Sequence, residues 1–250
     1  MEANVMLVDD PNLLIAKRVQ RKSAKIAAVA YLLAMTIVVV ANFSISAKLN
    51  VPDDARAAAR NILGHEALFR LSLVCYLLYS IGTLVVLAAF YVVLKPVDRT
   101  LALIAAFWRL LYAISWAYIV LNFFTALRLI SGAGYLKVIE PDRLQALAKV
   151  FLSGFDGYYV GLLFWSLASS ACAWLFFKSR FIPRALSLFG IVTSLWCVAC
   201  TIIFLIFPNF ANTVNLWWFD SGMAIFEIVT SFWLLFKGIQ VAAASAALKK

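Results

Sequence analysis

The chain has 250 residues, 65% of them hydrophobic and 14% charged, with a mean hydropathy of +0.94 and a formal net charge of +10. A water-soluble domain runs at about 45–50% apolar and about 25% charged residues. This composition therefore excludes an ordinary soluble globule and leaves a polytopic membrane protein.

A helix that crosses the hydrocarbon needs about 20 predominantly apolar residues. Residues 26–46, 72–94, 101–125, 157–177, 185–207 and 219–236 meet that test. They are apolar on all sides, whereas membrane strands alternate polar and apolar residues in segments of about ten. Backbone groups in lipid must also pair within their own segment. The expected fold is all-α: one domain of six transmembrane helices over residues 26–237, after a basic cytoplasmic arm (1–25) and before a cytoplasmic tail (238–250).

The arm carries Lys17, Arg18, Arg21, Lys22 and Lys25. With Lys95, Arg99, Lys178, Arg180, Arg184, Lys237, Lys249 and Lys250 it places thirteen of the 22 basic residues on one side of the spans, against eight on the other. The rule that Lys and Arg accumulate on the cytoplasmic side puts both termini there. The net positive charge then reports topology and attraction to anionic lipid headgroups, and a nucleic-acid partner is not expected. The first span reads as a permanent signal anchor: its apolar run is long and lacks a small-residue cleavage site.

The outer connections are the longer ones. After Pro52, Asp53 and Asp54 are placed to cap a helix over 55–69. Ser131-Gly132-Ala133-Gly134 marks a turn, and a second outer helix is expected to start at Pro141 and run into the fourth span. The third outer loop, from Pro208 to Trp218, is aromatic, as suits the headgroup level. The short cytoplasmic connections make spans two and three, and four and five, antiparallel neighbours.

One combination of segments is distinctive. It comprises Arg60-Asn61-Ile62 with Leu68-Phe69-Arg70, a span ending Tyr91-Val92-Val93-Leu94-Lys95-Pro96-Val97-Asp98, and Leu101-Ala102-Leu103 with Trp108-Arg109. It continues with Ser179-Arg180-Phe181-Ile182-Pro183-Arg184, and with Glu227 followed by Trp233-Leu234-Leu235-Phe236-Lys237-Gly238. Together, over roughly residues 22–240, these resemble the domain-of-unknown-function family numbered 4386. The resemblance implies a bacterial multi-span protein of the inner (plasma) membrane and carries over no catalytic residues.

Two charges fall at lipid depth. Arg109 lies ten residues after Arg99, and Glu227 ten residues before Lys237. At 1.5 Å per residue both sit about 15 Å inward from the cytoplasmic face. An isolated ion there costs about 2.5–3.5 kcal/mol or more, so mutual pairing is expected, with Thr230 and Ser231 as further hydrogen-bonding neighbours of Glu227. The pair is read as a lock between spans three and six, or as part of a ligand site. Span two carries Ser72, Tyr76, Tyr79 or Ser80, and Thr83 on one helical face. That stripe either bonds neighbouring helices or lines an outward-opening pocket with Tyr112, Asn122, Asp156 and Tyr159.

Other chemistry is thinly represented. His65 is the single histidine, and the position where a metalloprotease helix would need a second is Phe69. Glu66 and Arg70 are spaced for an i,i+4 pair. Cys75, Cys172, Cys197 and Cys200 all fall inside spans, which argues against a disulfide framework. No cofactor or metal is expected. The leading function is binding of a small molecule or lipid in an intramembrane cavity, receptor- or transporter-like, with Arg109, Glu227, Tyr76, Tyr79, Thr83, Tyr112, Asn122 and Asp156 as site residues and membrane lipids as partners. The alternatives are a membrane-embedded enzyme acting on lipid at the outer interface through His65, Glu66 or Asp156, and a structural or accessory subunit.

Overall fold

The computed structural model describes residues 11–239 apart from 47, 48, 50, 52, 53, 133, 137, 154, 155, 208, 211, 212 and 216; residues 11–13, 135, 156 and 217 are described by backbone alone. Helix α1 spans Pro11–Val39 and continues as a π-helical segment, Val40–Ser46. It is followed by α2 (Ala55–Gly64), α3 (Glu66–Leu94), α4 (Arg99–Ile130), α5 (Pro141–Leu152), α6 (Asp156–Ser179), α7 (Arg184–Ile206) and α8 (Trp217–Phe236). The described residues contain no strand. Six helices, α1, α3, α4, α6, α7 and α8, are long and apolar enough to cross a membrane. The chain is a multi-pass all-α membrane protein. With six crossings, the described chain begins and ends on one face, here termed the terminal face; the opposite face is the distal one.

The described helix bounds refine the sequence reading. From residue 11 onward the basic arm is helical, since α1 starts at Pro11 and runs unbroken into the first span. No glycine or further proline interrupts it before residue 46, and Gln20 donates from Nε2 to the Val93 carbonyl at 2.7 Å, fastening the extension to the end of α3. The first distal helix stops at Gly64 rather than running to residue 69. His65 leaves the helical region there (φ −132°, ψ 39°), and Glu66 opens α3. Helix α5 is described over Pro141–Leu152 with Ser153 at its C-cap, and α6 runs from Asp156; the join between them lies outside the described residues.

The remaining local rules hold. Asp54 caps α2 by accepting from the Ala57 N–H at 2.8 Å, and Asp98 caps α4 by accepting from Leu101 at 2.9 Å. Asp53 lies outside the described residues. Gly132 takes φ +66° in the turn after α4, a conformation a Cβ would oppose.

The six spans close into a ring: α1 packs on α3, α3 on α4, α4 on α6, α6 on α7, α7 on α8, and α8 returns to α1. Small residues let the backbones approach. A Cβ on Gly82 would come within 2.7 Å of the Ala34 Cβ, and one on Gly190 within 2.5 Å of the Phe226 ring. Helices α2 and α5 pack together over the distal end of the ring, with α5 against α4. The core has two parts. The terminal part is tight, built from Ala24, Ala27, Ala28, Tyr31, Phe90, Phe176 and Phe226 among others. The distal part is aromatic, with Phe69, Tyr76, Trp116, Phe123, Trp165 and Phe219.

Candidate functional site: an aromatic cavity above a buried ion pair

The charges at lipid depth meet. Arg109 on α4 and Glu227 on α8 are 2% and 5% exposed, and Nη2 lies 2.6 Å from Oε1. The second prong, Nη1 to Oε2, measures 3.4 Å. Two neutral donors complete the carboxylate. Trp165 Nε1 and Ser169 Oγ, one turn apart on α6, reach Oε1 at 3.0 Å and 2.7 Å. Phe90 lies 5.8 Å from the guanidinium carbon. A single carboxylate thus joins α4, α6 and α8. The pairing follows the depth argument, but the accessory donors come from α6 rather than from Thr230 and Ser231. Thr230, a turn further along α8, leaves its Oγ1 without a hydrogen-bond partner.

The polar stripe on α3 is buried along its length: Ser72, Tyr76, Tyr79, Ser80 and Thr83 are each below 9% exposed. Its members divide by partner. Ser72 and Thr83 donate to carbonyls of their own helix, at Phe69 and Ser80. Ser80 donates to the Ala113 carbonyl at 2.9 Å, tying α3 to α4. Tyr76 donates to Asn42 Oδ1 at 2.8 Å and lies 2.7 Å from Ser46 Oγ, reaching into the π-helical segment. The hydroxyls of Tyr79 and Tyr112 sit 2.8 Å apart across the α3–α4 contact.

Above this layer the ring opens into a cavity of about 840 Å³. Its floor is Tyr79, Tyr112 and Trp165, the last with its indole N–H turned down to Glu227. Tyr112 and Trp165 stack at 5.2 Å between centroids. Its walls include Tyr76, Trp116, Phe123, Tyr158 and Tyr159, and on the distal side Leu49, Ile62 and Leu152 cover it. Asp220 and Ser221, in the first turns of α8, face into it, and Asp220 accepts a hydrogen bond from the Tyr158 hydroxyl. Of all the lining residues, Val39 and Phe43 on the first span and Ile225 on α8 are the exposed ones. The lining thus reaches the protein surface between α1 and α8.

Of the residues singled out from sequence, Tyr76, Tyr79 and Tyr112 line the cavity. Arg109 and Glu227 lie beneath its floor, and Thr83 is bonded to its own helix. Asn122 is partly buried on α4, off the lining. Asp156 opens α6, and its side chain is outside the described residues. Asp220, Asn42, Tyr158, Trp116 and Trp165 join the lining although the sequence reading did not select them as site residues. A signal existed: Asp220 lies inside an apolar helix, and Tyr158, Trp165 and Ser169 share one face of α6.

Other motifs resolve simply. His65 is exposed, with Nδ1 3.1 Å from the Asn61 carbonyl oxygen. Glu66 and Arg70 form the expected i,i+4 pair at 2.7 Å. The four cysteines are free thiols. Among the described residues no group of three or more His, Cys, Asp or Glu is arranged to hold a metal.

No curated protein and no solved structure matches this chain. The profile of one family, described as a domain of unknown function (DUF4386), matches residues 26–238 of the 250. With the ring of six spans and the resemblance of the Trp108-Arg109 and Glu227 segments agreeing with that match, the chain belongs to the DUF4386 family.

Proposed function

We propose that this protein binds a small amphipathic molecule or lipid in the distal cavity, as a receptor- or transporter-like protein. The observation that carries the reading is the cavity itself: about 840 Å³, walled by aromatic rings, carrying a few placed polar groups, and lined up to the protein surface between α1 and α8. Binding sites are typically concave, mostly apolar and furnished with a small number of polar groups that fix orientation, and about 300–1,000 Å³ is their usual size. A mouth between two spans suits a ligand that arrives through the bilayer. The excess of Lys and Arg at the terminal face supports placing both ends in the cytoplasm of a bacterium, with the cavity in the outer half of its inner membrane. The enzyme alternative draws less support, since exposed His65 and Glu66 lie off the cavity lining.

The test uses the indoles of Trp116 and Trp165, which line the cavity. 9,10-Dibromooctadecan-1-ol, a heavy-atom quencher with an alkyl chain and an uncharged headgroup, is titrated into detergent-purified protein. A saturable quenching component in the wild type that is lost in Ser221→Phe/Ala224→Phe, which fills the α8 wall, supports the reading. Identical curves for the two proteins contradict it.

A further inference from the structure

The geometry points to a lipophilic organic cation, an amine or quaternary onium ion, as the ligand class of this cavity, with Asp220 as its counter-ion. The inference rests on the cavity being a binding site and adds which chemistry it selects.

Among the described residues two carboxylates face the interior of the ring, and they are treated differently. Glu227 has its cation built in, Arg109, together with two neutral donors. Asp220 receives a hydrogen bond from Tyr158 and forms no ion pair with any described Lys, Arg or His. An ionised carboxylate offers about four acceptor sites, so one phenol leaves most of that capacity open. Asp220 is only partly buried because it faces the cavity. Among the described residues nothing supplies the positive charge, and it is assigned to whatever occupies the space.

The surroundings suit an onium ion. Trp116, Tyr158 and Tyr159 lie side by side on the wall that meets Asp220, with centroids 5.8 Å apart for Trp116–Tyr158 and 5.7 Å for Tyr158–Tyr159. Aromatic faces attract cations through the ring quadrupole, and more strongly where water is excluded. Among the described residues no Lys or Arg lines the cavity, so none of them would hold an anionic headgroup there. The mouth flanked by Val39, Phe43 and Ile225 adds the second requirement, an apolar body able to cross lipid.

Two ions of nearly equal shape and opposite charge separate the outcomes. Tetraphenylphosphonium and tetraphenylborate are each measured by equilibrium dialysis against wild-type protein in nanodiscs of zwitterionic lipid, with Ser221→Phe/Ala224→Phe as the background. Saturable binding of the phosphonium alone is expected, weakened about tenfold or more in Asp220→Asn and kept in Asp220→Glu, since a charge pair in a low-dielectric site is strong. The Asn variant keeps an acceptor for Tyr158, and a monodisperse elution profile verifies its fold. Undiminished binding in Asp220→Asn, or equal specific binding of the borate, overturns the cation preference while leaving the cavity a binding site. Binding of neither ion above the filled-cavity background overturns both.

Discussion

Glu227 Oε1 stands 2.6 Å from Arg109 Nη2 and simultaneously accepts from Trp165 and Ser169, so one carboxylate oxygen joins three of the six spans. Removing one member of a buried pair strands the other charge, at a cost of about 3–5 kcal/mol, whereas replacing both by apolar residues is often close to neutral. Arg109→Met and Glu227→Met should each destabilise strongly, and the double variant should recover most of the loss. Reversible unfolding in mixed micelles, followed by circular dichroism, measures all three. Equal loss in the double and single variants would mean that Trp165 and Ser169, rather than the ion pair, carry the effect.

The Tyr79–Tyr112 contact makes a smaller prediction. The hydroxyls share one hydrogen bond at 2.8 Å and the rings pack edge to face at 6.2 Å. Tyr79→Phe keeps the ring contact and loses about 0.6–1.7 kcal/mol, the range of side-chain hydrogen bonds inside membrane helices. Tyr112→Phe should add little once Tyr79 is Phe. Additive losses in the same unfolding assay would show that the hydroxyls have separate partners.

Backbone proximity is tested by two glycines. Leucine at Gly82 or Gly190 must displace Ala34 or the Phe226 ring, since even a Cβ would lie within 2.7 Å or 2.5 Å of them. Overpacking of this kind costs about 1–3 kcal/mol. Leucine at Gly64, where a Cβ meets nothing within 4 Å, is the control. Thermal stability should fall for the first two and hold for the third.

His65→Ala and Arg56→Ala should change stability by no more than about 1 kcal/mol. His65 is exposed, and the Arg56–Asp142 pair sits at the surface with side chains 69% and 64% exposed. A lipid-modifying activity in membranes that disappears in His65→Ala would instead revive the enzyme alternative.

Hydropathy alone located all six spans, because length and apolarity are properties of each segment by itself. The Arg109–Glu227 pairing was equally legible: equal depth from flanking cations and the cost of a lone ion leave few other arrangements. What the pattern could not reveal was the third dimension of the ring. That Trp165 and Ser169 supply the donors for Glu227 depends on how α6 is rotated against α8. No hydropathy value encodes that rotation. Asp220 falls in the first turn of the sixth span, where it reads as a boundary acid, yet α8 begins at Trp217 and turns it into the cavity. The helix boundary at Gly64 was missed for a related reason: composition favoured continuation to residue 69, and His65 leaves the helical region instead.

The claim that matters most is that the distal cavity holds a ligand, and native mass spectrometry of the protein released from mild detergent tests it most directly. The wild type should carry a discrete bound mass above the general lipid ladder, and Ser221→Phe/Ala224→Phe should lose that mass while keeping the ladder. The same spectrum for both proteins would contradict the account and leave the aromatic cavity as a packing feature of a structural subunit.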